Sequence, residues 1–126
     1  MRASVRTDAA PAALGPYSQA IRAGQFLFVS GQLALDPATG EFVEGGIGDQ
    51  TRRVLQNIGT ILEAAGSSLA KVVRTTVYLA DIADFSAMNQ AYATFFAPPY
   101  PARSTIQAAK LPKDARIEVD VIAYVD

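Results

Sequence analysis

Arg103 stands one residue beyond the proline-rich stop Pro98-Pro99-Tyr100-Pro101 and opens an extended run. Its guanidinium is a planar fork of N–H donors suited to a carboxylate or phosphate, each sheltered charged bond being worth about 1.5–3 kcal/mol. Glu118 and Asp120 lie two residues apart in the closing run, so strand alternation puts both carboxylates on one face. If sheltered, each raises the pKa of the other, and a carboxylate titrating near neutrality can take a proton from water. Tyr17, after Gly15-Pro16, offers a hydroxyl that can donate a hydrogen bond or relay a proton. Ser30-Gly31-Gln32 interrupts the apolar run Phe26–Leu35. A glycine there marks either a bulge or the close approach of a ligand or another backbone. Each residue also has an ordinary reading: Arg103 as a surface charge at a strand edge, Glu118 as a solvated outward residue, Tyr17 as a half-buried ring with a wet tip.

The absences narrow the chemistry. The 126 residues include no cysteine and no histidine, which removes thiolate nucleophiles, disulfides, the commonest metal ligand and the commonest general base. Ser30 therefore has no imidazole partner for serine-hydrolase chemistry. Acid–base work falls to Asp, Glu, Tyr, Lys, backbone or water. No phosphate loop, dinucleotide fingerprint or zinc spacing is present, and the Gly45–Gly48 cluster lacks a lysine in cradling position. With 11 Lys plus Arg against 12 Asp plus Glu, the chain lacks the basic excess of a general nucleic-acid binder. It shows neither a secretory apolar stretch nor a run of about 18 apolar residues, so a cytoplasmic protein with no membrane span is expected.

The elements that must position these residues follow from periodicity. A strand near Ser4–Thr7 precedes a loop broken by Pro11, Gly15 and Pro16; Tyr17–Ala23 and Phe26–Leu35 form a hairpin around Gly24-Gln25. Asp49 caps a helix whose stripe is Val54, Ile58, Ile61, Leu62 and Ala65, ended by Gly66. Gly59 inside it costs about 1 kcal/mol relative to alanine, which implies close packing. Lys71–Leu79 reads as a strand with Val73, Thr75, Val77 and Leu79 on one face. Asp81 opens a second helix with the stripe Phe85, Met88, Tyr92 and Phe95, and strands Arg103–Ala108 and Arg116–Val125 close the chain. The order β-β-β-α-β-α-β-β, without repeats or linkers, predicts a single α+β domain over residues 1–126, a mixed sheet with two helices on one face. In the last strand Ile117, Val119, Val121 and Ala123 face the helices. Arg116, Glu118, Asp120, Ile122 and Tyr124 face away, toward solvent or another subunit, and a homo-oligomer built on that face is the expectation. If the last two strands form a hairpin turning at Pro112-Lys113, Glu118 lies across from Gln107. Arg103 is then roughly 13 Å away, room for a small substrate and a water.

The segments Gly15-Pro16-Tyr17-Ser18-Gln19-Ala20, Ser30-Gly31-Gln32 and Asp36-Pro37-Ala38-Thr39-Gly40 resemble the RidA/YjgF family. So do Asn57, Glu63-Ala64-Ala65-Gly66, Val73–Leu79 and Asn89. The C-terminal signature is the strongest: Pro101-Ala102-Arg103-Ser104-Thr105, Leu111-Pro112-Lys113-Asp114 and Ile117-Glu118-Val119-Asp120. The resemblance covers nearly the whole chain. It implies a chorismate-mutase-like fold, a homotrimer with sites between subunits, and hydrolysis of reactive 2-imino acids to 2-keto acids and ammonia without metal or organic cofactor. It assigns Arg103 to the substrate carboxylate, Glu118 to the attacking water, and Tyr17 and Ser30 to the pocket. The Gly31 N–H is a second donor to the carboxylate, and Asn89 is a lesser pocket residue. Thr105 stands where many members have cysteine, so a thiol-dependent role is excluded. The family's other associated activities, RNA cleavage with translation inhibition and non-catalytic ligand binding or chaperoning, are the alternatives.

Overall fold

Six short stretches pair into one sheet in the computed structural model, which describes residues 1–126. The strands are β1 (Arg2–Val5), β2 (Ala20–Ala23), β3 (Phe26–Gln32), β4 (Val72–Leu79), β5 (Ala102–Gln107) and β6 (Ile117–Tyr124). Their order across the sheet is β1-β2-β3-β6-β4-β5. Every neighbouring pair is antiparallel except β4–β5, which is parallel. Helix α1 (Ile47–Ala64) links β3 to β4, and α2 (Phe85–Tyr92) links β4 to β5. Parallel neighbours need such a crossover, because a tight turn cannot reverse the chain twice. Both helices lie on one face. Val54, Ile58, Ile61 and Leu62 of α1 and Met88 and Tyr92 of α2 are buried in the same core as Ile117, Val119, Val121 and Ala123 of β6. The expected α+β architecture holds. No helix is long and apolar enough to cross a membrane.

Local details refine several sequence expectations. Helix α1 begins two residues before Asp49, with Gly46 at its cap. Asp49 sits in the first turn, where its Oδ2 accepts the Gly46 N–H at 3.2 Å and its charge opposes the helix dipole. A Cβ at Gly59 would meet Leu69 Cδ1 at 3.3 Å, so the close packing expected there is present. Asn57 donates from Nδ2 to the carbonyls of Leu33 and Leu35 at 3.3 and 2.9 Å, tying the segment after β3 to α1. In β4 a register shift between Val72 and Arg74 turns Val73 outward, leaving Val72, Thr75, Val77 and Leu79 on the buried side. The chain between Thr7 and Gln19 is loop, so Tyr17 precedes β2 instead of starting it.

The expected hairpin between the last two strands does not exist. β5 pairs only with β4, as an edge strand, and β6 is inserted between β3 and β4. Glu118 therefore lies across from Tyr78, while Arg103 lies across from Thr75. The open sheet face carries Phe28 and Phe26, each nearly half exposed, together with Ile106 and Tyr124.

Candidate active site

Tyr17, Ser30, Gly31 and Glu118 come together around a cleft of about 480 Å³, which Pro112 and Lys113 also line. The loop that carries Tyr17 is held by buried Gln19. Its side-chain oxygen accepts the Thr7 N–H at 2.8 Å, and its amide donates to the carbonyls of Thr7 and Pro11 at 3.1 and 2.8 Å. Ser30 fastens the same loop to the sheet, its hydroxyl donating to Ser18 O at 2.6 Å and its N–H to Gln19 O at 2.9 Å. The β3–β6 register shifts between Val29 and Gln32, so Ser30-Gly31 forms a bulge. Bulges re-aim the backbone beside them, and here the Glu118 side chain packs so closely on Gly31 that any Cβ would collide with its carboxylate. The bulge expected at Gly31 is present, and what approaches it closely is the Glu118 side chain in place of the ligand or backbone expected.

Burial pushes the Glu118 carboxyl above its ordinary value, and the neighbouring Asp120 charge pushes it further. Asp120 itself accepts the Tyr78 hydroxyl at 3.1 Å. Burial, and then that bond, raise the Tyr78 hydroxyl as well, so Tyr78 remains a donor.

Arg103 sits elsewhere, on the helix side of β5. Its Nη1 donates to Asn89 Oδ1 at 2.7 Å, and its guanidinium carbon lies 4.8 Å from the Tyr92 ring centre and 5.5 Å from that of Phe85. Phe85, Asn89 and Tyr92 are one helical face, at steps of four and three residues. Tyr92 is fixed in turn by a 2.8 Å bond between its hydroxyl and that of Thr75, the residue opposite Arg103 on β4. None of the five ion pairs of the molecule involves Arg103. Two residues further along the same face of β5, the Thr105 hydroxyl is buried with no hydrogen-bond partner.

The seven sequence candidates thus form two groups. Tyr17, Ser30, Gly31 and Glu118 line the cleft; Arg103 is bonded to Asn89 of α2, and Thr105 shares its face of β5. Arg103 and Glu118 are separated by two strand spacings, with β4 between them, and three residues of register, about 14 Å at the usual spacings, and they point to opposite faces of the sheet. The anchoring roles of Gln19, Tyr92 and Phe85 were not assigned from sequence. The spacing Phe85–Asn89–Tyr92 was the available signal, but the aromatic residues read equally as core. No cluster of His, Cys, Asp or Glu converges in a way that could hold a metal.

The profile of the family described as endoribonuclease L-PSP matches residues 7–125. A RutC family protein of Pyrococcus horikoshii is 54% identical over 124 residues, 98% of either chain. The 2-iminobutanoate/2-iminopropanoate deaminase of Capra hircus is 48% identical over 123 residues, 98% of this chain and 90% of that protein. The crystal structure of RidA from an Antarctic Psychrobacter superposes with a TM-score of 0.93 at 44% identity, covering 98% of this chain and 99% of the other.

Proposed function

The chain belongs to the endoribonuclease L-PSP family, the RidA/YjgF proteins, and from that premise we propose that it hydrolyses reactive 2-imino acids to 2-keto acids and ammonia. The reading extends to a chorismate-mutase-like homotrimer in which each site is shared by two subunits. The observation that carries it is Arg103, a cation held by a neutral amide and two aromatic rings with no carboxylate of its own. Its charge is therefore available to an anionic ligand.

In the proposed reaction Arg103 takes the substrate carboxylate, with the Gly31 N–H as second donor, and so fixes the iminium carbon. That carbon is already electrophilic, and water suffices as nucleophile. Glu118, whose raised pKa makes it a stronger base than an ordinary carboxylate, deprotonates the water as its oxygen bonds to carbon. The C=N bond becomes a single bond in a carbinolamine. Glu118 or Tyr17 then returns a proton to nitrogen, the C–N bond breaks, and ammonia leaves as the carbonyl forms and the hydroxyl proton passes to Glu118 and from there to the departing ammonia. Asn89 orients Arg103, Ser30 holds the Tyr17 loop against the bulge, and Thr105 borders the carboxylate end.

In a 2-imino acid the carboxylate carbon and the reacting carbon are bonded neighbours. Groups about 14 Å apart on opposite sheet faces cannot act on them within one chain. Arg103 of one copy must therefore meet the Glu118 cleft of another, and the half-exposed Phe26 and Phe28 on the open face support such an assembly.

The test generates 2-iminobutyrate with an amino-acid oxidase or a dehydratase and traps surviving imine with semicarbazide. Faster keto-acid release with less trapped imine is expected; no change across several amino-acid precursors would contradict the reading. The family's description favours one second reading, RNA cleavage. The near-balanced charge and absent histidine weigh against it. RNA cleavage that persists in repurified Arg103→Ala protein would bring it forward.

A further inference from the structure

We infer that Phe85 and Tyr92 are positioning residues that set the substrate-binding strength and orientation of Arg103, an inference that rests on the carboxylate-binding reading of that arginine. The two rings stand one turn either side of Asn89 on α2, so the helix presents ring, amide, ring to a single guanidinium. Both ring centres lie within 6 Å of its central carbon, the range of cation–π attraction. Asn89 takes one N–H of Nη1. The aromatic contacts and Asn89 together restrict the swing of a long side chain that would otherwise sample many rotamers.

Three features argue that this cradle is built for a ligand and is not incidental core packing. An arginine that served only to cover the helix–sheet seam would be neutralised by a carboxylate, as Arg116 is by Asp84 at 3.2 Å; Arg103 is not. The rings attract the cation without consuming its N–H donors, so Nε and Nη2 stay free for a planar, two-pronged acceptor. Tyr92 is itself locked by Thr75, and Thr75 is fully buried in the strand that pairs with β5, so the ring cannot turn away. The cradle thus prepares the fork before substrate arrives. Weakening it should cost affinity for the carboxylate while leaving the chemistry at the imine carbon alone.

The experiment compares binding of 2-ketobutyrate, the stable product, with binding of 2-ketobutyramide, which has the same skeleton but no charge. Titration calorimetry on Phe85→Leu should show 2-ketobutyrate weakened about three- to tenfold and 2-ketobutyramide unchanged. KM for 2-iminobutyrate should rise by a similar factor with kcat nearly constant. Phe85→Tyr, which keeps a ring, should restore both. Should the leucine variant fail to assemble, Phe85→Met keeps the bulk and removes the ring, and is expected to behave the same way. Equal weakening of acid and amide, a fall in kcat alone, or an unaltered acid preference would overturn the inference. Arg103→Ala is the reference. If it abolishes the acid preference while Phe85→Leu leaves it intact, only the cradle fails. If Arg103→Ala also retains the preference, the carboxylate-binding reading fails with it.

Discussion

At the scale of single residues the proposed reaction divides into holding a carboxylate and moving a proton, and the two tasks respond differently to substitution. Arg103→Ala removes about two charged hydrogen bonds, so kcat/KM for 2-iminobutyrate should fall about 100-fold or more. Arg103→Lys keeps the charge but loses the fork and much of the stacking, and should recover only a minor part. Glu118 gives a pH signature. Burial and Asp120 raise its pKa, so the acid limb of the rate profile should lie above the ordinary carboxylate value. Asp120→Asn should move that limb to lower pH by removing the like charge. The sign for stability is the reverse of the usual carboxylate case. A raised folded-state pKa means the native protein binds the proton more tightly than the unfolded chain does. The stability contributed by this group is full below the unfolded pKa and lost as pH rises through the folded one. Glu118→Gln should therefore raise Tm relative to the parent at pH 7, and that gain should shrink toward pH 4 while activity is lost throughout. Thermal melts across this range check it; a gain that grows on acidification would refute the assignment of burial as the dominant cause.

At the scale of elements, the cleft depends on how β3 is held at its far end. Asn57 clasps Leu33 and Leu35, and both line the cleft. Asn57→Ala should cost about 1–3 kcal/mol in urea unfolding and also lower activity, because the cleft wall loses its anchor. A variant with unchanged unfolding would show that the clasp is not a support. Much of this architecture was legible in the sequence. The stripe of α1 and the alternation of β6 reported their buried faces directly, since periodicity records which side of an element is apolar. Pairing was not legible. β5 is short and flanked by a polar loop that reads as a hairpin turn, whereas its true partner, β4, lies across a helical crossover and is selected by packing of α2 on the sheet. The bulge at Val72–Arg74 likewise leaves no mark in a run of β-formers. For the same reason Phe85 and Tyr92 read only as core, where they do pack: a hydrophobic pattern does not show that a core ring also faces a cation.

At the scale of the whole molecule, one chain keeps the Arg103 group and the Glu118 cleft apart and leaves an open sheet face bearing Phe26, Phe28, Ile106 and Tyr124. The proposed assembly would bury this apolar surface. Phe28→Asp should dissociate the assembly in sedimentation and abolish deaminase activity although Arg103 and Glu118 are both intact. An active monomer would contradict a shared site. The decisive measurement mixes two inactive variants, Arg103→Ala and Glu118→Gln, unfolds and reassembles them together, and assays 2-iminobutyrate hydrolysis. In a closed ring of randomly exchanged subunits, about a quarter of the interfaces join an intact Arg103 from one copy to an intact Glu118 from the next. A shared site therefore predicts recovery of about a quarter of parental activity, with none when either variant is reassembled alone. Mixed assemblies that form but stay inactive would contradict the joining of Arg103 and Glu118 across subunits.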